Sequence, residues 1–270
     1  MTINNSLTGK TAQPKFSVAL QSESYQKLIR DTLGDKNRVA RFVAGISSAV
    51  AVTPSLQNCD YGSVLTAALV GESLGLSPSP ALGQYYIVPY ANKGQFQLGW
   101  RGYVSLAMRS NQYKKLIVTS VKEGEMKSYN PFTEEYELVP ITDINERDKS
   151  KTVGYYATFE LTSGFVKAIY WSKEKMLAHA TKYSTAFRNK GGNSPWLNEE
   201  GFEQMAYKTM LRQLISKHGV MSNELQTAFE SDYAVIKEDG SKVYVDNDGS
   251  TVEGIIEPIS EPVAIDPTNE

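Results

Sequence analysis

The spacing of apolar residues along this chain passes from helical to strand-like and back. That succession limits the folds open to it. Ser22 or Ser24 can cap a helix running to about Leu33, with Leu28, Ile29 and Leu33 apolar. A second helix, roughly residues 37–52, sets Val39, Phe42, Val43, Ile46 and Val50 at helical spacing, with Arg38 beside Arg41 on its flank. Thr53-Pro54-Ser55 stops it, and Asp60 can cap a third helix built of small residues (YGSVLTAALVGESLGL). The period then drops to two. Residues 84–91 and 95–100 flank Asn92-Lys93-Gly94 and predict a hairpin turning there, with Pro89 marking an edge or irregular position.

Residues 102–110 return to helix. Strands are expected at 116–122, within 127–139, and at 153–161, the last pairing with 165–171 across Thr162-Ser163-Gly164. Ser172 can cap a helix through Lys182, and 184–194 reads as a glycine-bearing loop. Ser194-Pro195 reads as the start of a long helix ending at Gly219. On it Phe202, Ala206, Met210 and Leu214 form an apolar stripe, which places Lys208 and Arg212 on the opposite side. Ser222 caps a last helix to about 235. Helices, strands, a helix, strands and helices in that order predict an α+β domain rather than a doubly wound α/β one. Three regions follow: an arm over 1–20, a single domain over 21–236, and an acidic tail over 237–270. The tail contains Pro258, Pro262 and Pro267 and is too polar to build a core.

Charge is distributed as unevenly as period. The net charge of −2 averages two unlike parts. From Glu224 onward there are twelve acids and two lysines, whereas residues 1–223 carry 26 basic and 18 acidic residues. Three stretches of the body exclude acids. Residues 73–122 hold Lys93, Arg101, Arg109, Lys114, Lys115 and Lys122. Residues 175–198 hold Lys175, Lys182, Arg188 and Lys190, and 204–223 hold Lys208, Arg212 and Lys217. Ordinary surfaces intersperse both signs, so this exclusion points to a surface that follows a polyanion. The single cysteine, Cys59, excludes an internal disulfide and fits a reducing compartment. The apolar runs are too short for a bilayer, and the N-terminus lacks the apolar core of a signal peptide. A soluble cytoplasmic protein is expected.

Little of the sequence suits covalent catalysis. Gly9-Lys10-Thr11 ends like a phosphate loop, but Asn4 stands where the first glycine is needed and no strand precedes it. Imidazole chemistry is limited to His179 and His218, which read as structural or helix-end residues. Glu125-Met126-Lys127 has the spacing of a metal-dependent nuclease. Its partner acid is missing upstream, so nuclease activity is the weaker alternative. Binding has better material. Arg101, Ser105 and Arg109 recur at i, i+4 and i+8 with Lys114 and Lys115 following, and Lys208 pairs with Arg212. Lys182, Tyr183, Phe187, Arg188 and Lys190 mix cations with rings able to stack on unpaired bases, although Tyr183 and Phe187 fit ordinary packing equally well.

The blocks LGLSPSPALGQYYIVPY (74–90), LGWRGYVSLAMRS (98–110), GYYATFEL (154–161) and Trp196 followed by MAYKTMLRQL (205–214) occur in an order that resembles the RecT family of phage single-strand annealing proteins. The resemblance covers most of residues 30–225 and leaves out the acidic tail. It implies a small, mostly antiparallel sheet with a β-hairpin and flanking helices. It also implies ATP-independent binding and annealing of single-stranded DNA by a ring or helical filament. No cofactor is required, and whether magnesium assists stays open. The implied partners are single-stranded DNA, the annealed duplex, further copies of the chain, a 5′→3′ exonuclease and a host single-strand-binding protein. The implied setting is the bacterial host of a phage or prophage. Arg101 and Arg109 in the second block and Lys208 and Arg212 in the last are the DNA-binding positions it carries over. A general single-strand coat protein is a further alternative. The tail reads as a mask for the cationic surface, a docking segment or a solubiliser.

Overall fold

Six helices begin on a side-chain oxygen that accepts a backbone N–H of the first turn: Asp35, Asp60, Asp143, Ser172, Asn198 and Ser222. Such caps satisfy donors that no intrahelical carbonyl can reach, and they fix where each helix starts. The computed structural model describes residues 14–130, 132–190, 194–232, 234–236 and 242–244. In chain order these form α1 (Phe16–Ala19), α2 (Glu23–Leu33), α3 (Lys36–Val52), a 3-10 turn (Pro54–Asn58), α4 (Tyr61–Ser73), β1 (Tyr85–Tyr90) and β2 (Lys93–Leu98). Next come α5 (Trp100–Arg109), β3 (Tyr113–Lys122), β4 (Met126–Asn130), β5 (Glu135–Leu138), α6 (Ile144–Lys149), β6 (Thr152–Leu161) and β7 (Val166–Ser172). The rest are α7 (Lys173–Tyr183), α8 (Thr185–Arg188), a 3-10 turn (Pro195–Leu197), α9 (Glu199–His218), α10 (Asn223–Ser231), β8 (Ala234–Ile236) and β9 (Lys242–Tyr244).

The strands pair antiparallel in four small sheets: β1-β2, β3-β6-β7, β4-β5 and β8-β9. The chain is therefore the α+β fold that the element order predicts, with the antiparallel pairing that the resemblance implies spread over several small sheets. β6 shows why. Tyr155, Ala157, Phe159 and Leu161 alternate inward, and Tyr155 meets Phe202 and Tyr207 of α9 at ring distances of 6.2 and 6.1 Å. The α9 stripe of Phe202, Ala206, Met210 and Leu214 is buried as expected, but so are Lys208, Thr209, Leu211 and Ile215. The helix packs against α5, β3, β6 and β7, so it has no wholly solvated back.

Several boundaries differ from the sequence expectation. The hairpin turns at Ala91 and Asn92, both at positive φ (44° and 61°), not at Asn92-Lys93-Gly94. Gly94 lies inside β2, where a Cβ would come within 2.8 Å of the Val64 Cα on α4. Its side chain is absent because a helix backbone passes over it, not because the chain reverses there. The 127–139 stretch folds as a hairpin of two strands, β4 and β5. Ser194-Pro195 opens only a 3-10 turn, and Asn198 caps α9. α10 stops at Ser231, and β8 follows it. The expected arm is packed at its end: Phe16 and Leu20 are buried, Phe16 lies edge-on to Tyr61 at 5.0 Å, and the Tyr61 hydroxyl donates to the Pro14 carbonyl. Residues 242–244, expected in the tail, form β9; residues 1–13, 237–241 and 245–270 lie outside the described residues.

Candidate nucleic-acid interface

Two groups of exposed cations carry the site. The first begins on α5. Arg101 is exposed, with its guanidinium 5.2 Å from the Trp100 ring centre and one nitrogen 3.3 Å from the Ala81 carbonyl. Arg109, in the last turn, donates to the Leu74 carbonyl at 2.5 Å, a cation placed on the C-terminal end of α4. Lys114 and Lys115 follow at the start of β3. Neighbours on a strand ordinarily face opposite ways, but the ladder with β6 shifts register between Tyr113 and Lys115, and both lysines are exposed. Lys114 pairs with Glu160 at 2.5 Å, a solvent-exposed bridge that holds the lysine weakly.

The second group surrounds the C-terminal end of α7. Lys182 lies 5.2 Å from the Tyr183 ring centre, and Tyr183 is 59% exposed. Arg188 folds back and donates to the Lys182 carbonyl at 2.8 Å, so it closes the end of α7 as well as adding charge there. Lys190 is exposed and held at φ 48°.

Three of the expected contacts are placed elsewhere. Phe187 is half-buried and packs on the core, the ordinary alternative for that ring. Lys208 is only 5% exposed, and its ammonium donates to Asp232 Oδ1 at 2.9 Å. Arg212 donates to Asp232 Oδ2 at 3.0 Å and to the Tyr103 hydroxyl at 3.1 Å, and its guanidinium stacks on Phe229. The Asp232 carboxylate also accepts from the Leu98 N–H at 2.9 Å and the Tyr103 hydroxyl at 3.1 Å. The solvated basic pair expected on α9 is instead the cationic half of an ion cluster around a buried acid. The counter-charge was hidden from the sequence because it lies past the next helix.

The nuclease alternative meets a similar correction. Glu125 is buried and accepts from Arg147 at 2.6 and 3.1 Å, from the Lys122 N–H at 2.8 Å and from the Ile141 N–H at 3.2 Å. Burial pushes its carboxyl up, but these hydrogen bonds outweigh it and hold the pKa below the ordinary glutamate range. With both oxygens so engaged, the residue is a brace between β3 and α6. Among the described residues no group of three His, Cys, Asp or Glu side chains is placed to hold a metal ion. Gly9-Lys10-Thr11 lies outside the described residues.

Beside Tyr183 stand two rings that the sequence analysis did not single out for binding, Trp171 and His179. Trp171, at the end of β7, lies 5.5 Å from His179, which lies 4.6 Å from Tyr183, and Lys175 sits 4.5 Å from the Trp171 ring centre. Burial, helped by Lys182, lowers the His179 pKa to about 4, so its ring is neutral at pH 7. Only the recurrence of Lys175, His179 and Lys182 at i, i+4 and i+7 on the expected helix could have disclosed them.

The described helices include none long and apolar enough to cross a membrane. A model of the RecT family matches residues 40–246, from α3 through β9. The chain belongs to the RecT family. It is 37% identical over 227 residues to the uncharacterized protein YqaK of Bacillus subtilis, covering 84% of this chain and 73% of that one. It is 30% identical over 200 residues to protein RecT of Escherichia coli, covering 71% and 70% respectively. Membership of the RecT family assigns the chain to single-strand annealing in DNA recombination, and with it to single-stranded DNA binding and self-association.

Proposed function

We propose that this protein anneals complementary DNA strands without ATP, as an oligomer or helical filament that holds one strand extended for pairing. The observation carrying this reading is the pair of exposed cationic groups on acid-free stretches of sequence: Arg101, Arg109, Lys114 and Lys115, and Lys182, Arg188 and Lys190 beside Tyr183. Annealing has no covalent barrier to lower. What opposes it is repulsion between two phosphate backbones and the disorder of unpaired strands. Cations along a shared surface reduce the first, and subunits side by side reduce the second. Base pairing then drives the reaction, and sequence is read by the complement rather than by the protein.

The single strand would be supplied by a 5′→3′ exonuclease and received from a host single-strand-binding protein, in a phage or prophage setting. The test follows complementary oligonucleotides with the full-length protein, without nucleotide and with or without magnesium, alongside electron microscopy. Faster pairing with filaments or rings supports the proposal. Protection of single strands without faster pairing would instead indicate a coat protein. Products shorter than the input would restore the nuclease reading.

A further inference from the structure

Cations attract any phosphate backbone, single or double, so the two cationic groups do not explain a preference for unpaired strands. The flank of α7 supplies what they lack. Trp171, His179 and Tyr183 follow one another beside the buried stripe of Met176 and Ala180, Trp171 edge-on to His179 at 5.5 Å and 62° and His179 tilted 45° against Tyr183 at 4.6 Å. Tyr183 ends the row 59% exposed, although a large ring is ordinarily buried where packing can reach it. Lys175 and Lys182 lie over the Trp171 and Tyr183 rings at 4.5 and 5.2 Å. We propose that the exposed Tyr183 ring, backed by His179 and Trp171, is a stacking shelf for an unpaired base of a DNA strand, whose flanking phosphates draw Lys175 and Lys182 off the ring faces.

The chemistry favours the exchange. An exposed cation over a ring is held weakly, and a base offers a broader face together with a phosphate partner for the displaced ammonium. His179 suits the middle of the row because its ring is uncharged at neutral pH and offers a flat π face. Bases inside a duplex are stacked on each other and offer only edges, so the shelf recognises the strand before pairing. The shelf thus supplies single-strand selectivity. This inference rests on the single-strand-binding reading above, and the test separates the two.

The probes are oligo(dT) and an abasic oligonucleotide of equal length, which keeps every phosphate and lacks every base. The unaltered full-length protein should bind oligo(dT) more tightly. Tyr183→Ala should weaken oligo(dT) binding about 5- to 150-fold, the loss of one stacked base, and leave abasic binding unchanged. Tyr183→Phe should restore it, and Trp171→Phe should retain most of it where Trp171→Ala does not. Lys175→Ala and Lys182→Ala should weaken both probes alike. The shelf is refuted if the unaltered protein binds both probes equally, or if Tyr183→Ala weakens both to the same degree. A protein that binds neither probe would sink the single-strand reading itself.

Discussion

Replacing Asp232 separates an ion cluster that holds the fold from a pair of cations that hold DNA. Asp232 is fully buried and accepts from Lys208, Arg212, Tyr103 and the Leu98 N–H, at 2.9 to 3.1 Å. Asp232→Ala leaves the Lys208 ammonium, with 6% of its side chain exposed, without its carboxylate. Removing one partner of a buried pair costs about 3–5 kcal/mol, because the charge left behind is neither hydrated nor compensated. At roughly 2–4 °C per kcal/mol for a chain approaching this size, the midpoint of thermal unfolding should fall by about 6–20 °C. Lys208→Met keeps the volume and removes the stranded charge, so in the Asp232→Ala background it should recover part of the loss. The assay is thermal and urea unfolding of the four members of that cycle, with oligonucleotide binding measured as a function of salt. Lys208→Met and Arg212→Met should leave the salt dependence of binding unchanged wherever the protein is folded. The reasoning fails if Asp232→Ala costs less than about 1 kcal/mol, or if Lys208→Met is as harmful without Asp232 as with it. A flattened salt dependence in folded Lys208→Met would return that residue to the DNA surface.

Three further outcomes follow from the geometry. Lys115→Ala and Lys190→Ala, both at exposed positions, should each reduce the slope of log affinity against log salt for single strands by about 0.7, with unfolding temperature unchanged. Glu125 titrates below its ordinary range in the folded chain, so its stabilising contribution is complete above the unfolded glutamate pKa and is lost as pH falls through the lower folded value. Glu125→Gln should therefore flatten the acid limb of a stability–pH profile and destabilise the protein at pH 7, which urea titrations across that range would show. Gly94→Ala should cost about 1–3 kcal/mol, read from the urea midpoint, because its Cβ meets the α4 backbone at 2.8 Å and neither element can yield cheaply.

What the sequence disclosed and what it hid divide by range. Asp60, Ser172 and Ser222 were legible as caps because a cap bonds to an N–H within the next three residues. The α9 stripe was legible because one helix repeats every 3.6 residues whatever it packs against. Gly94 was misread as a turn residue since its reason is Val64, a neighbour only in space. The β4–β5 hairpin was hidden by its polarity: β4 is almost wholly exposed, and the alternation of β5 runs for only four residues. Lys114 and Lys115 were legible as cations of an acid-free stretch, but the bulge that leaves both exposed is a property of the ladder with β6.

The charge pattern bears the same limit and gains by it. An acid-free stretch of sequence shows that no counter-charge lies nearby along the chain; it does not show that none lies nearby in space. In the third stretch Lys208 and Arg212 of α9 pair with Asp232 inside the fold, so they contribute to anchoring the end of α10 rather than to a surface, and Lys217 alone stays exposed. The first and second stretches keep all their cations but Lys122 exposed, and in both a cation rests against a ring: Arg101 on Trp100, Lys175 on Trp171, Lys182 on Tyr183. Charge alone would bind duplex and single strand with little distinction, since both present phosphates. Rings alone would bind bases too weakly to gather a long strand against its self-repulsion. The two together favour the strand whose phosphates and base faces are accessible at once, which is the state of DNA just before it pairs.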